Sequence, residues 1–180
     1  LDFWAGKQWQ LDDGKRVGFR LGNQYQNWGE SLFQPGGINA TNAVDIQKLS
    51  QPGTQIKEAF LPAPMLSLSA GLGGGVSLEA YYQFMWNRTR FPPVGGYWSV
   101  VDIYGTGQQP IYLGPDPAST QALGIPPSPS IPLAGNELPK NSGQWGVALH
   151  YQPQGSSVNY GLYAMNYHDK TPNLQFINGQ

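Results

Sequence analysis

Apolar and polar residues alternate strictly between residues 66 and 86 and predict one β-hairpin. The apolar positions run through 66–72 and 76–86, and the glycines 73–75 lie between them. Such alternation is typical of strands whose two faces meet different surroundings, and glycines supply the positive φ angles of a tight loop. The predicted register sets apolar residues opposite one another: Leu72 and Val76, Leu68 and Ala80, and Leu66 and Tyr82. The second strand has about the length of a membrane-spanning strand, roughly 9–11 residues.

The same alternation recurs near both ends of the chain, which gives six strands in three hairpins. The predicted strands and turns are 3–11, 12–14 and 17–25 near the start, and 145–151, 153–156 and 158–164 near the end. Lys7 falls on the apolar face of its strand and does not fit the pattern. The predicted fold class is all-β, with antiparallel neighbours.

The predicted connections alternate between short and long. Short turns lie near 12–16, 73–75 and 153–157, whereas the long loops cover 29–63 and 91–141. All short turns then lie at one end of the strands and both long loops at the other, which is the layout of an outer-membrane β-barrel. Because the smallest such barrels have about eight strands, we expect residues 1–180 to be part of a single, larger barrel domain, or one of several chains that share a sheet.

The long loops have different characters. The first is predicted to hold short helices around 42–49 and 54–60, because Asn42 and Thr54 are suitable N-caps. The second is rich in proline and glycine and carries apolar residues throughout. Loops of this length are uncommon without a role, so we expect them to narrow or cover the mouth of the barrel.

The composition narrows the classes of function. Charged residues make up 12% of the chain, against about 25% in a typical soluble domain, and the net charge is −1. This balance favours neither nucleic acid nor an anionic membrane surface as a partner. Cysteine is absent, which excludes disulfides and thiol chemistry. No apolar run is long enough for a transmembrane helix, whereas a mean hydropathy of −0.39 is compatible with strands that are polar on one face.

Ten polar or charged residues are candidates for lining or narrowing a pore, because a charge in a lumen can select solutes by their charge. Five lie on the polar faces of predicted strands: Arg20, Gln24, Glu79, Gln83 and His150. Five lie in the first long loop, whose apolar residues need burial and so favour inward folding: Glu30, Asp45, Lys48, Lys57 and Glu58. The simpler interpretation is a solvated lumen with structural ion pairs, and surface or helix-end charges in the loop.

Aromatic residues near the predicted strand ends are candidates for interfacial belts, because amphipathic rings favour the headgroup level of a membrane. The belt candidates are Trp28, Tyr82, Trp86, Trp145 and Tyr160, with Trp4 and Trp9 as further members. The alternative is a soluble core or a platform on which sugars stack.

No catalytic or metal-binding arrangement follows from the sequence. His150 is predicted opposite Gly161, so His168 lies about 23 Å away at ~3.3 Å per residue, too far to share an ion. The glycines between 71 and 75 join two strands and open no helix, so they form no phosphate loop. We expect neither an enzyme nor a cofactor.

Several short motifs resemble one bacterial family. They are RLGNQ at 20–24, NWGES at 27–31, GIN at 37–39, NAVD at 42–45, KEA at 57–59, LPAP at 61–64, LE at 78–79, YQF at 82–84, SGQWG at 142–146 and MNYH at 165–168. In this order they resemble the outer-membrane β-barrel proteins grouped as domain of unknown function 1302, although Asn23 stands where that family usually has Arg. The resemblance implies an N-terminal section of a longer barrel with a channel or transport-accessory role, hydrophobic compounds being among its solutes. It supplies no catalytic residues.

Two functional hypotheses stay open. The first is a porin-like channel in the bacterial outer membrane that passes small solutes passively. Its partners would be the lipid bilayer and the rest of the barrel, or other chains that complete the sheet, without nucleic acid. The alternative is a soluble all-β carbohydrate-binding module with exposed Trp and Tyr side chains. Extraction separates them, because only the barrel section requires detergent.

Overall fold

A computed structural model describes residues 1–28, 38–99, 101–126 and 128–176. The strands of the described residues are β1 (Phe3–Gln10), β2 (Arg16–Gln24), β3 (Ala43–Val44), β4 (Phe60–Leu61), β5 (Ala63–Gly73), β6 (Val76–Gln83), β7 (Ile111–Tyr112), β8 (Ser130–Ile131), β9 (Gln144–Tyr151) and β10 (Tyr160–Asn166). The α-helices are α1 (Ile46–Leu49), α2 (Ile56–Ala59) and α3 (Pro117–Leu123), and short 3-10 turns lie at Asp12–Gly14 and Ile38–Thr41.

The six longer strands form one antiparallel sheet in the order β1-β2-β5-β6-β9-β10. Each strand pairs with the next long strand along the chain, so the predicted all-β class and the three hairpins are confirmed. The short turns therefore lie at one end of the sheet and the two long connections at the other. Within the described ranges β1 and β10 are its edges and the sheet remains open.

The central hairpin has the predicted register over most of its length. The pairs that the structure keeps are Leu66 with Tyr82 and Leu68 with Ala80. At the turn the predicted register is wrong by one residue, because Gly73 pairs with Val76 and Leu72 is left in a bulge. Gly74 and Gly75, with φ angles of 59° and 82°, form the loop, and such angles favour glycine over residues with a Cβ.

Several predicted strand boundaries are also wrong, since β5 begins at Ala63 instead of residue 66 and β10 ends at Asn166 instead of residue 164. β6 ends at Gln83 instead of Trp86, because the Trp86 N–H donates to the Asn141 side chain at 2.9 Å and leaves the ladder. β10 begins at residue 160 instead of 158, since the Val158 N–H donates to the Ser156 hydroxyl at 3.0 Å. The long connections accordingly span 25–62 and 84–143.

The sheet has an apolar face and a polar face. The apolar face includes Val17, Phe19, Leu21, Leu66, Leu68, Leu78, Ala80, Tyr82, Trp145, Val147, Leu149 and Leu162. The polar face includes Arg20, Gln24, Ser67, Ser69, Glu79, Tyr81, Gln83, Gln144, Gly146 and His150. Exposure is the reverse of a water-soluble sheet, because Leu68 and Leu162 are 48% and 71% exposed. Gln83 and Gln144, in contrast, are only 2% and 1% exposed.

The chain divides into two compact units. The first, Leu1–Val44, Phe60–Thr89 and Pro139–Gln180, contains the six-stranded sheet. The second, Asp45–Ala59 and Arg90–Leu138, contains the three helices and the β7–β8 pair. The expectation of one domain for residues 1–180 stays a prediction.

Both predicted helices of the first long connection are present but begin later than expected. Asp45 caps α1 by accepting a hydrogen bond from the Lys48 N–H at 3.2 Å, so the predicted cap Asn42 is wrong. α2 begins at Ile56, two residues beyond Thr54. No helix in the described ranges is both long and apolar enough to span a membrane.

Candidate functional site

The polar face of the sheet is the candidate site because it buries amide side chains at the long-connection end. Gln24 ends β2, Gln83 ends β6 and Gln144 begins β9, and none of them is more than 4% exposed. Their amide nitrogens each donate to a backbone carbonyl: Gln24 to Met65 (3.1 Å), Gln83 to Met85 (2.6 Å) and Gln144 to Asn141 (3.1 Å). Buried polar groups are stable when hydrogen-bonded, so this end of the face is an ordered polar layer.

Trp28 packs on the centre of the polar face. Its ring centroid lies 5.5 Å from Tyr81 and 5.5 Å from Tyr163, and the residue is only 7% exposed. Ile38 and Met165 pack against the same cluster. Trp28 and Ile38 both belong to the connection after β2, so the described parts of this connection fold back onto the polar face. This buried position does not suit a residue of an interfacial belt.

Gly146 provides the space for this aromatic cluster. It pairs directly with Tyr81 across β6 and β9. A Cβ at Gly146 would overlap the Tyr81 ring and lie 2.8 Å from a ring carbon of Trp28. An aromatic ring that packs over a glycine in a sheet fills the space left by the missing side chain.

Reciprocal hydrogen bonds join the start of the same connection to a residue near its middle. The Gln26 N–H donates to Asn42 Oδ1 at 3.1 Å, and Asn42 Nδ2 donates to the Gln26 carbonyl at 2.6 Å. The Gln26 side chain donates to Glu79 Oε2 at 3.3 Å. The half-buried Glu79 carboxylate of β6 is thereby linked to the connection that carries Trp28.

The buried polar atoms near this cluster that lack a hydrogen-bond partner within the described ranges include Trp28 Nε1 and the hydroxyl of Ser67, a residue that pairs with Tyr81 in the sheet. Buried groups of this kind commonly bind an ordered water or a polar ligand atom. The polar face therefore offers unused hydrogen-bonding capacity next to aromatic rings.

The segment beyond β10 is hydrogen-bonded to the buried glutamine layer through a buried lysine, Lys170. Lys170 is 2% exposed, its ammonium donates to Gln144 Oε1 at 2.7 Å, and its carbonyl accepts from the Thr89 N–H at 2.8 Å. The Trp86 indole donates to the Asp169 carbonyl at 3.1 Å, and its ring centroid lies 6.0 Å from the ammonium. Burial lowers the pKa of Lys170 to about 8 because the charged form loses hydration.

The remaining strand candidates also lie on the polar face. The Arg20 guanidinium is exposed and stacks over Trp4 at 5.2 Å from the ring centroid. The His150 ring meets Tyr163 edge-on at 5.4 Å. His150 pairs with Gly161 as the register predicted.

The candidates of the first long loop belong to the second unit or lie outside the described residues. Asp45 is 5% exposed, caps α1 and forms an ion pair with Arg90 at 3.5 Å. Lys48 lies in the last turn of α1, and Lys57 and Glu58 are exposed on α2. Glu30 lies outside the described residues. Asp45 thus has a structural role, the simpler of the two interpretations.

The belt candidates separate into two groups. Tyr82, Trp145 and Tyr160 lie on the apolar face with exposed fractions of 38%, 42% and 59%, and Tyr82 pairs with Trp145. Trp86 lies beyond β6, where its ring contacts the Lys170 ammonium, and Trp28 lies on the polar face.

Lys170 and the Gln26–Asn42 pair were not predicted from the sequence. The layer of buried glutamines could have been predicted, because three of the alternating stretches carry glutamine at the same end. The described part of the chain contains no cluster of His, Cys, Asp or Glu suited to a metal.

These observations define an antiparallel sheet protein with an exposed apolar face and a polar face that is buried at the end of the long connections. A family model described as a protein of unknown function, DUF1302, matches residues 1–180, so the chain belongs to this family. Neither the curated proteins nor the solved structures contain a match.

Proposed function

We propose that this chain forms part of an outer-membrane channel that passes small solutes passively along the polar face of the sheet. The observation that carries the proposal is the reversed burial of the two faces. Large apolar side chains of β5 and β10 are exposed, whereas the amides of Gln83 and Gln144 are almost fully buried. A sheet in water gains stability by burying its apolar face, so the exposed face fits lipid as its solvent.

The sheet edges support the same assignment. Within the described ranges β1 and β10 each leave one edge unpaired. Unpaired backbone groups are not tolerated in hydrocarbon, so a sheet in a membrane has to close. Further strands of the same polypeptide or of other chains would complete the barrel and are the expected protein partners.

The contacts of Trp28 suggest where the path is narrowest. Its ring covers Tyr81 and Gly146 on the polar face, beside Glu79 and the Ser67 hydroxyl. A solute on this face would meet an aromatic surface flanked by hydrogen-bonding groups, which suits small molecules that are partly apolar. The charged residues of the first long loop would then contribute less to the constriction than the sequence predicts.

Fractionation and reconstitution test the proposal. We expect the natural protein to be found in the outer membrane, to require detergent for extraction and to produce conductance steps in a planar bilayer. Trp28→Phe keeps an aromatic ring and serves as the matched control for Trp28→Ala, which should raise the unit conductance. A protein that is monodisperse without detergent and silent in bilayers would contradict the channel.

The carbohydrate-binding alternative rests on the exposed aromatic residues of the apolar face, Tyr82, Trp145 and Tyr160. It predicts quenching or shifting of tryptophan fluorescence by oligosaccharides in plain buffer. A saturable response without detergent would favour this function over the channel.

A further inference from the structure

Lys7 is an exception on the apolar face. The charged residues of the six long strands are Lys7, Arg16, Arg20 and Glu79. By register Arg16, Arg20 and Glu79 alternate onto the polar face, whereas Lys7 pairs with Phe19 on the apolar face. The described strands thus place one charge among the side chains that the proposed channel would present to lipid.

The Lys7 side chain extends toward the short-turn end of the sheet. Its ammonium lies 5.4 Å from the ring centroid of Trp9, which is two residues closer to the Asp12–Gly14 turn. Trp9 in turn stacks on Phe19 at 5.7 Å and is 43% exposed. An ammonium and an indole therefore lie together on the exposed face, close to where β1 ends.

No acidic side chain of the described residues neutralises Lys7. The nearest acidic residues in sequence are Asp2 and Asp12, neither of which forms an ion pair with Lys7 among the described residues, and Asp13 pairs with Lys15 at 4.0 Å. A lysine on a lipid-facing strand is strongly destabilising at the bilayer midplane and costs little near the interface. The orientation toward Trp9 is the one that brings the ammonium to the interface.

We propose that Lys7 and Trp9 bind the phosphate of a membrane phospholipid at the short-turn rim of the sheet. The inference rests on the proposed function. An ammonium is a common phosphate ligand, and an indole ring combines an N–H donor with an apolar surface for the glycerol and acyl chains. The short-turn end faces the periplasm in outer-membrane barrels, so the lipid would belong to the inner leaflet.

Lipid retention by the detergent-extracted, complete protein tests this site. The probes are phosphatidylglycerol and a galactolipid that has no phosphate, each measured by native mass spectrometry after titration into the protein. Lys7→Met keeps an unbranched apolar side chain and removes the charge, and Lys57→Met removes an exposed charge on α2 as the matched control. We expect Lys7→Met to weaken phosphatidylglycerol binding about fivefold, the effect of one surface cation, and to leave galactolipid binding unchanged.

The outcomes are separable from those of the channel proposal. If the wild-type protein enters no bilayer, the proposed function fails. If wild type and Lys7→Met both enter bilayers and bind phosphatidylglycerol equally, the phosphate site alone is wrong, and an acidic residue of a strand added at the β1 edge becomes the partner of Lys7. Equal loss of galactolipid binding in Lys7→Met would likewise contradict phosphate recognition.

Discussion

The two faces of the six-stranded sheet share one backbone but have opposite surroundings. On the apolar face, leucine side chains such as Leu68 and Leu149 are 48% and 38% exposed. On the polar face, Gln83 and Gln144 pair with each other across β6 and β9 and are almost fully buried. Side-chain alternation therefore sets which residues share a face, whereas the solvent determines which face is covered.

The largest expected effect comes from a charge placed on one face and then on the other. Leu68→Arg and Ser69→Arg are neighbours near the middle of β5, both exposed, on opposite faces. If lipid covers the apolar face, Leu68→Arg lowers the free energy of unfolding in a bilayer by about 2–4 kcal/mol. Ser69→Arg lies opposite Gly18 and should change it little. Denaturant unfolding from vesicles measures both.

The reverse result would contradict the assignment of lipid to the apolar face. If Leu68→Arg is neutral and Ser69→Arg is strongly destabilising, water contacts the apolar face and the polar face is an ordinary packed interior. Equal costs at both positions would show that the two faces do not differ in solvent.

The second prediction probes the packing of the polar face. Gly146→Ala introduces a Cβ into the Tyr81 and Trp28 rings. Such overpacking should destabilise the protein by about 1–3 kcal/mol. Gly135→Ala is the control, because nothing lies within 4 Å of the Cβ position there. Thermal unfolding of the two variants measures the difference, and equal stabilities would mean that Trp28 does not rest on Gly146.

The hairpins followed from the sequence because alternation and glycine turns are local signals. The register of Leu66 with Tyr82 was confirmed, whereas the bulge at Leu72 depends on how the Gly74–Gly75 loop closes. Trp28 was assigned to a belt, since its position at a strand end gives no indication that the chain folds back onto Tyr81. Loop conformation depends on tertiary contacts that no local pattern encodes.

The strand residues of the candidate site were predicted from the sequence, because alternation is a local signal, whereas its loop residues were not. Arg20, Gln24, Glu79, Gln83 and His150 occupy the polar face because strand parity decides their direction. Lys170 was missed, because its burial against Gln144 arises from a segment outside any strand. The family match confirms the resemblance indicated by the motifs. The function is proposed from the burial of the two faces of the sheet.

The burial of Lys170 beside the polar face predicts a pH dependence of local opening. Lys170 has a pKa of about 8 when buried, against about 10.4 for an exposed lysine. Between these values the opened segment binds more protons than the closed one, so opening becomes less favourable as the pH rises. Trypsin cleavage after Lys170 should therefore slow roughly tenfold from about pH 7.5 to about pH 9.5, relative to cleavage after the exposed Lys140.

Lys170→Arg is the matched control for this pH dependence. Arginine retains a trypsin site and stays charged over the whole range, so the relative cleavage rate should be constant. A wild-type rate that is equally flat would mean that the ammonium is hydrated and that the segment beyond β10 is not fastened to Gln144.

The smallest expected effect concerns the charge of Glu79. Its carboxylate lies on the polar face, half-buried and hydrogen-bonded to Gln26. Glu79→Gln keeps the size and the hydrogen-bonding geometry and removes the charge. At about 10 Å in a water-filled path one charge contributes ~0.4 kcal/mol, which favours a cation and disfavours an anion by about twofold each, so the cation-to-anion permeability ratio should fall about fourfold. Reversal potentials across a salt gradient measure this ratio, with Glu137→Gln, an exposed residue of the second unit, as the control. Because the two variants remove the same charge, an equal change in both would assign the selectivity to the overall charge of the protein and leave the polar face without a specific part in it.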